Sequence, residues 1–298
     1  MSEFLQQLVN GLTWGSIYAL IALGYTMVYG VLRLINFAHG DVYMIGAMTG
    51  YYVARHLPSH FSELNFGIVL GLSIIACALL GALIERVAYR PLRNAPRLSM
   101  LITAIGVSLF LEYGGQLLFG ADPKFFPELI VSRPMFHFDG VIISNIQFII
   151  LLVSFILMIS LRFIVLNTKM GKAMRAVAFS QTASQFVGIN VSSVITVTFL
   201  IGSGLAGAAG VMVSLSNPKI EPLMGIMPGL KAFVAAVLGG IGNIPGALLG
   251  GYLMGIAETF VTAYISSTYR DALAFIILIV ILLVKPTGLL GKTVKEKV

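Results

Sequence analysis

Long apolar runs separated by short polar connections dominate this chain. Runs near the ~20 residues that a helix needs to cross a hydrocarbon layer of ~30 Å occupy residues 8–30, 35–54, 67–85, 99–119, 141–163, 192–213 and 271–285. One more, 223–264, is about twice too long for a single crossing. The longest polar connections, near 120–140 and 164–190, are too short to bury a core of their own. The pattern therefore predicts one all-α, polytopic membrane helix bundle over residues 1–298. Composition agrees, with 58% hydrophobic and only 10% charged residues.

Two places break this pattern. In GLKAFVAAVLGGIGNIPGALLGG, residues 229–251, the sequence Gly239-Gly240-Ile241-Gly242-Asn243-Ile244-Pro245 cannot continue a smooth helix. In lipid every backbone N–H and C=O needs an internal partner, so such a break survives only inside protein or beside a wet cavity. The second place is GVLRLINFAHGDVYMIGAMTG, residues 30–50, where Arg33, Asn36, His39, Gly40 and Asp41 interrupt apolar sequence. Two readings stand side by side: a segment that lines or gates a path through the bundle, or a turn between helices with His39 and Asp41 capping backbone groups. Elsewhere Gly202, Ala206 and Gly210, Gly246 and Gly250, and Gly251 and Gly255 recur at spacings of four, which predicts closely packed helix backbones.

Charge sets the orientation. Twelve of the nineteen basic residues fall in three places: Arg86, Arg90, Arg93 and Arg97; Arg162, Lys169, Lys172 and Arg175; Lys285, Lys292, Lys295 and Lys297. The positive-inside rule assigns these to the cytoplasm, and the loop near 120–140, with Asp122, Glu128 and Asp139 against Lys124 and Arg133, to the outside. Between Arg175 and Lys285 the chain must cross an even number of times, so 223–264 crosses twice or not at all. Two crossings require a turn at Gly239–Pro245, on the cytoplasmic side. The count is then about nine helices, within a range of eight to ten, with the N-terminus out and the C-terminus in. Glu3 precedes the first run without any Lys or Arg, so a basic signal-peptide n-region is missing and the first helix is expected to be retained.

Catalytic and nucleic-acid chemistry find little support. The net charge of +7 follows the loops rather than forming one basic face. PTGLLGKT, residues 286–293, imitates the end of a phosphate-binding loop, but Pro286 replaces the first glycine and only five residues follow Thr293. No zinc-protease or serine-hydrolase motif occurs. His39 and Asp41, at i and i+2, do not make a metal shell, so neither a metal nor a cofactor is expected, and Cys77 reads as a small packing residue. Glu85, beside Arg86 at a run end, is expected at the interface; Glu112 and Glu258 lie in apolar sequence too scattered for a proton relay.

The connection 167–193 contains a short amphipathic helix candidate, with Met174, Val177, Ala178, Phe186 and Val187 at apolar positions, Lys169, Lys172 and Arg175 flanking them, and Gly171 and Gly188 at its ends. It either docks on a partner surface or lies in the headgroup layer. YALIALGYTMVYGVLRLINFAHGDVYMIGA, MGKAMRAVAFS followed by GIN, and GLKAFVAAVLGGIGNIPGALLGG occur in this order, and together the chain resembles the shorter permease subunit of branched-chain amino acid ABC importers over nearly its whole length.

That resemblance implies a bacterial inner-membrane complex with a second, homologous permease subunit, two ATP-binding subunits and a periplasmic amino-acid-binding protein. It makes 171–188 the coupling segment, with Gly171, Arg175, Ala178, Gln181 and Gly188 as candidates for contact with an ATPase. The path or gate candidates are Asn36, His39, Gly40, Asp41, Gly239, Gly240, Gly242, Asn243 and Pro245. Branched-chain amino acids are the leading substrate class; other amino acids, urea or short amides are alternatives. A secondary transporter or channel, and more remotely an intramembrane enzyme, are the competing functions.

Overall fold

A computed structural model describes residues 2–57, 63–93, 95–138 and 140–291; Asp139, Lys292, Thr293, Lys295 and Lys297 lie outside the described residues, as does the side chain of Arg97. Eleven α-helices form in chain order among them: α1 (Ser2–Leu32), α2 (His39–His56), α3 (Glu63–Ile84), α4 (Arg97–Phe119), α5 (Asn145–Asn167), α6 (Lys169–Phe179), α7 (Gln181–Phe186), α8 (Val191–Ser216), α9 (Ile226–Gly239), α10 (Ile244–Tyr264) and α11 (Arg270–Val284). Among the described residues seven helical segments are long and apolar enough to cross a membrane: Ser2–Leu32, Leu64–Leu92, Leu98–Phe119, Asn145–Asn167, Val191–Ser216, Ile244–Tyr264 and Ser267–Val284. The other two large apolar elements are α2 and α9. At 14 residues α9 reaches only about 21 Å.

The helices sort into a centre and a periphery. α1 and α8 bury about four fifths of their apolar stretch, α11 about one tenth. α1 is the spine, packed against α10, α8 and α9, while α8 holds α2 and α3. Glycine makes these crossings close. A Cβ on Gly46 of α2 would lie 2.6 Å from the Gly207 Cα of α8, and one on Gly11 of α1 would lie 2.8 Å from the Ile256 Cα of α10. Gly202 faces Gly24, Gly210 meets Tyr43, and Gly251 and Gly255 press on Ala19 and Gly15. The four-residue glycine spacing is therefore packing, as small-residue faces let van der Waals contact replace the hydrophobic drive that lipid removes. Gly207→Leu is expected to abolish recovery of monodisperse protein in size-exclusion chromatography, whereas Gly67→Leu, with nothing within 4 Å of its Cβ position, should not.

Cys77 fits the same account, fully buried and donating its S–H to the Val42 carbonyl at 3.4 Å. Glu85, expected at the end of a run, is enclosed by protein. It is fully buried in a π-helical turn that ends α3, where it pairs with Arg93 and accepts a 2.7 Å hydrogen bond from Thr196 of α8. Desolvating a carboxylate is tolerable only with such partners, and Arg93 lies eight residues on, too far along the chain for a helix-pattern reading to couple them.

At one end of the bundle a two-residue antiparallel pair, β1 (Lys124–Phe125) with β4 (Lys219–Ile220), ties the chain after α4 to the chain after α8. A hairpin of β2 (Pro134–Phe138) and β3 (Val141–Ser144) leads into α5, whose start carries a reciprocal cap between Ser144 and Gln147. At the other end Thr168 and Ser180 cap α6 and α7 by accepting from the backbone N–H of Gly171 and Ala183.

Candidate functional site

The run 35–54 becomes helical only at His39. Residues 33–38 are irregular, and Arg33 takes a left-handed φ of 55° that turns the chain back toward the bundle. His39 then packs against the Tyr25 ring at 4.7 Å and beside Gly24. Gly24 lies eight residues before the end of α1, so α2 starts about 12 Å inside that end. Ala38 at the N-cap has no side-chain cap, and Asp41 accepts a 2.5 Å hydrogen bond from Ser108 of α4. Asn36 is buried and accepts from the Tyr89 hydroxyl at 2.8 Å.

A second helix start meets the first. A Cβ on Gly40 would lie 2.6 Å from the Gly225 carbonyl, and one on Gly229 would lie 2.9 Å from the Gly40 Cα. The beginnings of α2 and α9 thus abut inside the bundle, with Phe37, Phe233 and Tyr25 clustered beside them. The His39 ring is buried against the Ile21 backbone, and the Thr26 hydroxyl is buried with no hydrogen-bond partner among the described residues. Buried polar side-chain atoms at this depth suit water or a polar solute better than lipid.

The Gly239–Pro245 break is a tight turn between α9 and α10. Gly240 and Gly242 adopt φ of 107° and 88°, open to glycine because it lacks a Cβ. Asn243 caps α10 through the Gly246 N–H, and Pro245 takes an early position where no backbone donor is needed. Residues 285–291, which hold the described part of the stretch that imitates a phosphate loop, supply the missing partners. Leu289 and Leu290 donate backbone N–H bonds to Leu238 and Gly239 at 2.8 and 3.0 Å, and Asn243 donates to the Leu290 carbonyl at 2.6 Å.

Arg33, Arg175, Ala178, Gly242, Asn243 and Pro245 line one recess of about 760 Å³. The turn therefore lies at the same end of the bundle as the end of α1 and as α6. A Cβ on Gly242 would stand 3.8 Å from the Gly30 Cα. Gln181 donates to the Val31 carbonyl at 3.4 Å, just before the irregular 33–38 segment. The structure thus joins the 171–188 segment to both breaks. Gly171 and Gly188 have narrower roles: the first lets α6 press on the Ile164 and Val165 carbonyls, and the second holds a φ of 81° in open space. Met174 and Val177 face the bundle and are buried, so the exposed apolar surface of this segment is Phe179, Phe186 and Val187 instead.

A cluster that the apolar-run pattern left unconnected lies toward the opposite end. Lys231 of α9 bonds Glu258 of α10 at 3.0 Å and Asp271 of α11 at 2.7 Å, with Arg270 also on Glu258. Lys231 and Glu258 are nearly equidistant from Ile244, so a hairpin turning there brings them level; that symmetry was present in the sequence. No group of three or more metal-ligating side chains occurs among the described residues.

A bundle with two interrupted helices whose starts meet in its interior, and with breaks reached by a cytoplasm-type basic segment, has the architecture of a membrane permease. The family model for "Branched-chain amino acid transport system / permease component" matches residues 7–282, and the chain belongs to that family. It is 45% identical over 302 residues to the high-affinity branched-chain amino acid transport system permease protein BraD of Pseudomonas aeruginosa, covering 99% of this chain and 98% of that protein. Against LivH of Escherichia coli, described in the same words, identity is 44% over 307 residues, with 99% and 98% coverage. A probable LivH of Methanocaldococcus jannaschii is 30% identical over 305 residues, with 95% and 91% coverage. No solved structure matches.

Proposed function

We propose that this chain is the transmembrane permease subunit of an ATP-driven importer that carries branched-chain, or other hydrophobic, amino acids across a bacterial inner membrane. It spans residues 1–298 as one domain, crosses nine times with α2 and α9 as the interrupted crossings, and places its N-terminus outside and its C-terminus in the cytoplasm. A second homologous permease, two ATP-binding subunits and a periplasmic amino-acid-binding protein complete the assembly. Covalent chemistry is left to the ATP-binding subunits.

The observation that carries this reading is the position of the coupling segment. The 167–193 connection exposes Phe179, Phe186 and Val187 on one side and, on the other, touches Val31 through Gln181 and shares a recess with Gly242 and Asn243. Movement of an ATPase bound to those apolar groups would reach the hinge before α2 and the turn before α10 directly. Asn36, His39, Gly40 and Asp41 then line the path, and Gly239–Pro245 form its inner gate.

The test is uptake by the assembly reconstituted in vesicles. Leucine uptake should require the ATP-binding subunits and ATP; uptake by this chain alone, driven by an ion gradient, overturns the reading in favour of a secondary transporter. Phe186→Asp removes a large exposed anchor and should weaken ATPase docking by about 2 kcal/mol or more, read as loss of co-purifying ATPase. Unchanged co-purification in both Phe186→Asp and Arg175→Glu would remove the docking role.

A further inference from the structure

At the end away from α6 and α7, the bundle holds a cavity of about 740 Å³, a size typical of small-molecule sites. Its polar edge carries Gln6, Asn10 and Gln147, joined by Gln147 donating to Asn10 at 2.8 Å and Gln6 donating to the Ile142 carbonyl at 3.0 Å. Its wall includes Trp14, Glu258 and Arg270, with Ile146 and Leu215 as apolar neighbours. The Glu258 side chain is only 3% exposed. Its Oε1 accepts from Lys231 and from Arg270, whereas Oε2 is buried with no close, well-aligned donor, the Tyr18 side chain being the neighbouring group that faces this carboxylate and Arg270. The Arg270 guanidinium carbon stands 5.0 Å from the centroid of the Trp14 ring, and the Arg270 side chain is 39% exposed.

An unpaired buried carboxylate oxygen is too costly to leave without a donor, and a half-open guanidinium beside it is a ready carboxylate partner. Lys231, Glu258, Arg270 and Asp271 sum to zero charge. A lone cation or anion would upset that balance in a poorly solvated place, while a zwitterion preserves it. We propose that this cavity is a binding station for the zwitterionic backbone of a free α-amino acid, with Glu258 Oε2 accepting from the ammonium, Arg270 donating to the carboxylate, and Trp14 lying against the side chain. The proposal rests on the importer reading for its substrate class and adds a site inside this subunit, separate from the breaks that form the path and gate.

Trp14 is the single tryptophan of the chain, so it reports occupancy. In the assembled complex without binding protein, with the signal of a Trp14→Phe complex subtracted, L-leucine and other L-amino acids should change the fluorescence saturably. Leucinamide, which lacks the carboxylate, and 4-methylpentanoate, which lacks the ammonium, should bind about tenfold more weakly or worse. Glu258→Gln should remove the amino-acid response; should that variant not assemble, the analogue series on the unaltered protein decides. No response to any L-amino acid, or equal affinity for leucine and both analogues, overturns the station. ATP-driven leucine uptake in the same preparation, with binding protein added back, separates the two readings. Uptake without the Trp14 response sinks the station alone, and the response without uptake supports the station while sinking the importer.

Discussion

Leucine at position 240 is expected to stop transport while leaving the bundle assembled. Gly240 sits at φ 107° and ψ 103°, a region that disfavours side chains by about 1–3 kcal/mol. A Cβ there would also stand 2.5 Å from the Gly291 N and 2.8 Å from its Cα. Residues 285–291 would have to leave, stripping the turn of the backbone donors of Leu289 and Leu290. The crossings of α1 with α8 and α10 do not involve this turn, so elution in size-exclusion chromatography should be unchanged. Uptake should fall about tenfold or more, in keeping with that strain, and limited proteolysis should open sites near 285–291. Full uptake by Gly240→Leu would take the turn out of the gate.

Glu258→Leu carries the largest expected stability loss. It leaves Lys231, 4% exposed, with Asp271 alone, and frees Arg270 from its carboxylate. Removing one partner from a buried charge network typically destabilises by about 3–5 kcal/mol, whereas replacing the set by apolar groups of similar size is often neutral. The double variant Glu258→Leu with Lys231→Met should therefore regain much of the loss. Thermal unfolding of the purified chain, compared across wild type, single and double variants, reads this out. A double variant no more stable than the single would show that the network acts through packing rather than charge.

Much of the architecture was legible because a membrane helix must be long, apolar and internally hydrogen-bonded. Each apolar run has its helix, and charge parity put the Gly239–Pro245 turn at the same end as Arg33 and Arg175, where it lies. The glycine spacings were correctly read as packing. What escaped was information held between distant residues. The length of α9 and the irregular stretch before His39 depend on α2 and α9 meeting head to head, which no local periodicity records. The burial of Glu85 escaped because its partners, Arg93 and Thr196, come from beyond its own helix. Met174 and Val177 looked available for docking because an amphipathic pattern gives a buried face without naming what buries it. The tail was read as a basic cytoplasmic stretch with a rejected phosphate-loop match at 286–293, although its glycines fit the glycines of the turn. Of the candidate site, both breaks and the amphipathic helix in the 167–193 connection were legible in sequence; their junction through Gln181 and the shared recess was not.

Cys77, sealed between α3 and α2 with its thiol turned to the Val42 carbonyl, makes this chain a convenient spectroscopic subject as it stands. A native thiol that reagents cannot reach leaves any cysteine placed at the surface as the sole labelling point. Spin labels at Val187 and Leu290, both exposed, would report the distance between the 171–188 segment and the tail that braces the Gly239–Pro245 turn, without first stripping the protein of its own sulfur.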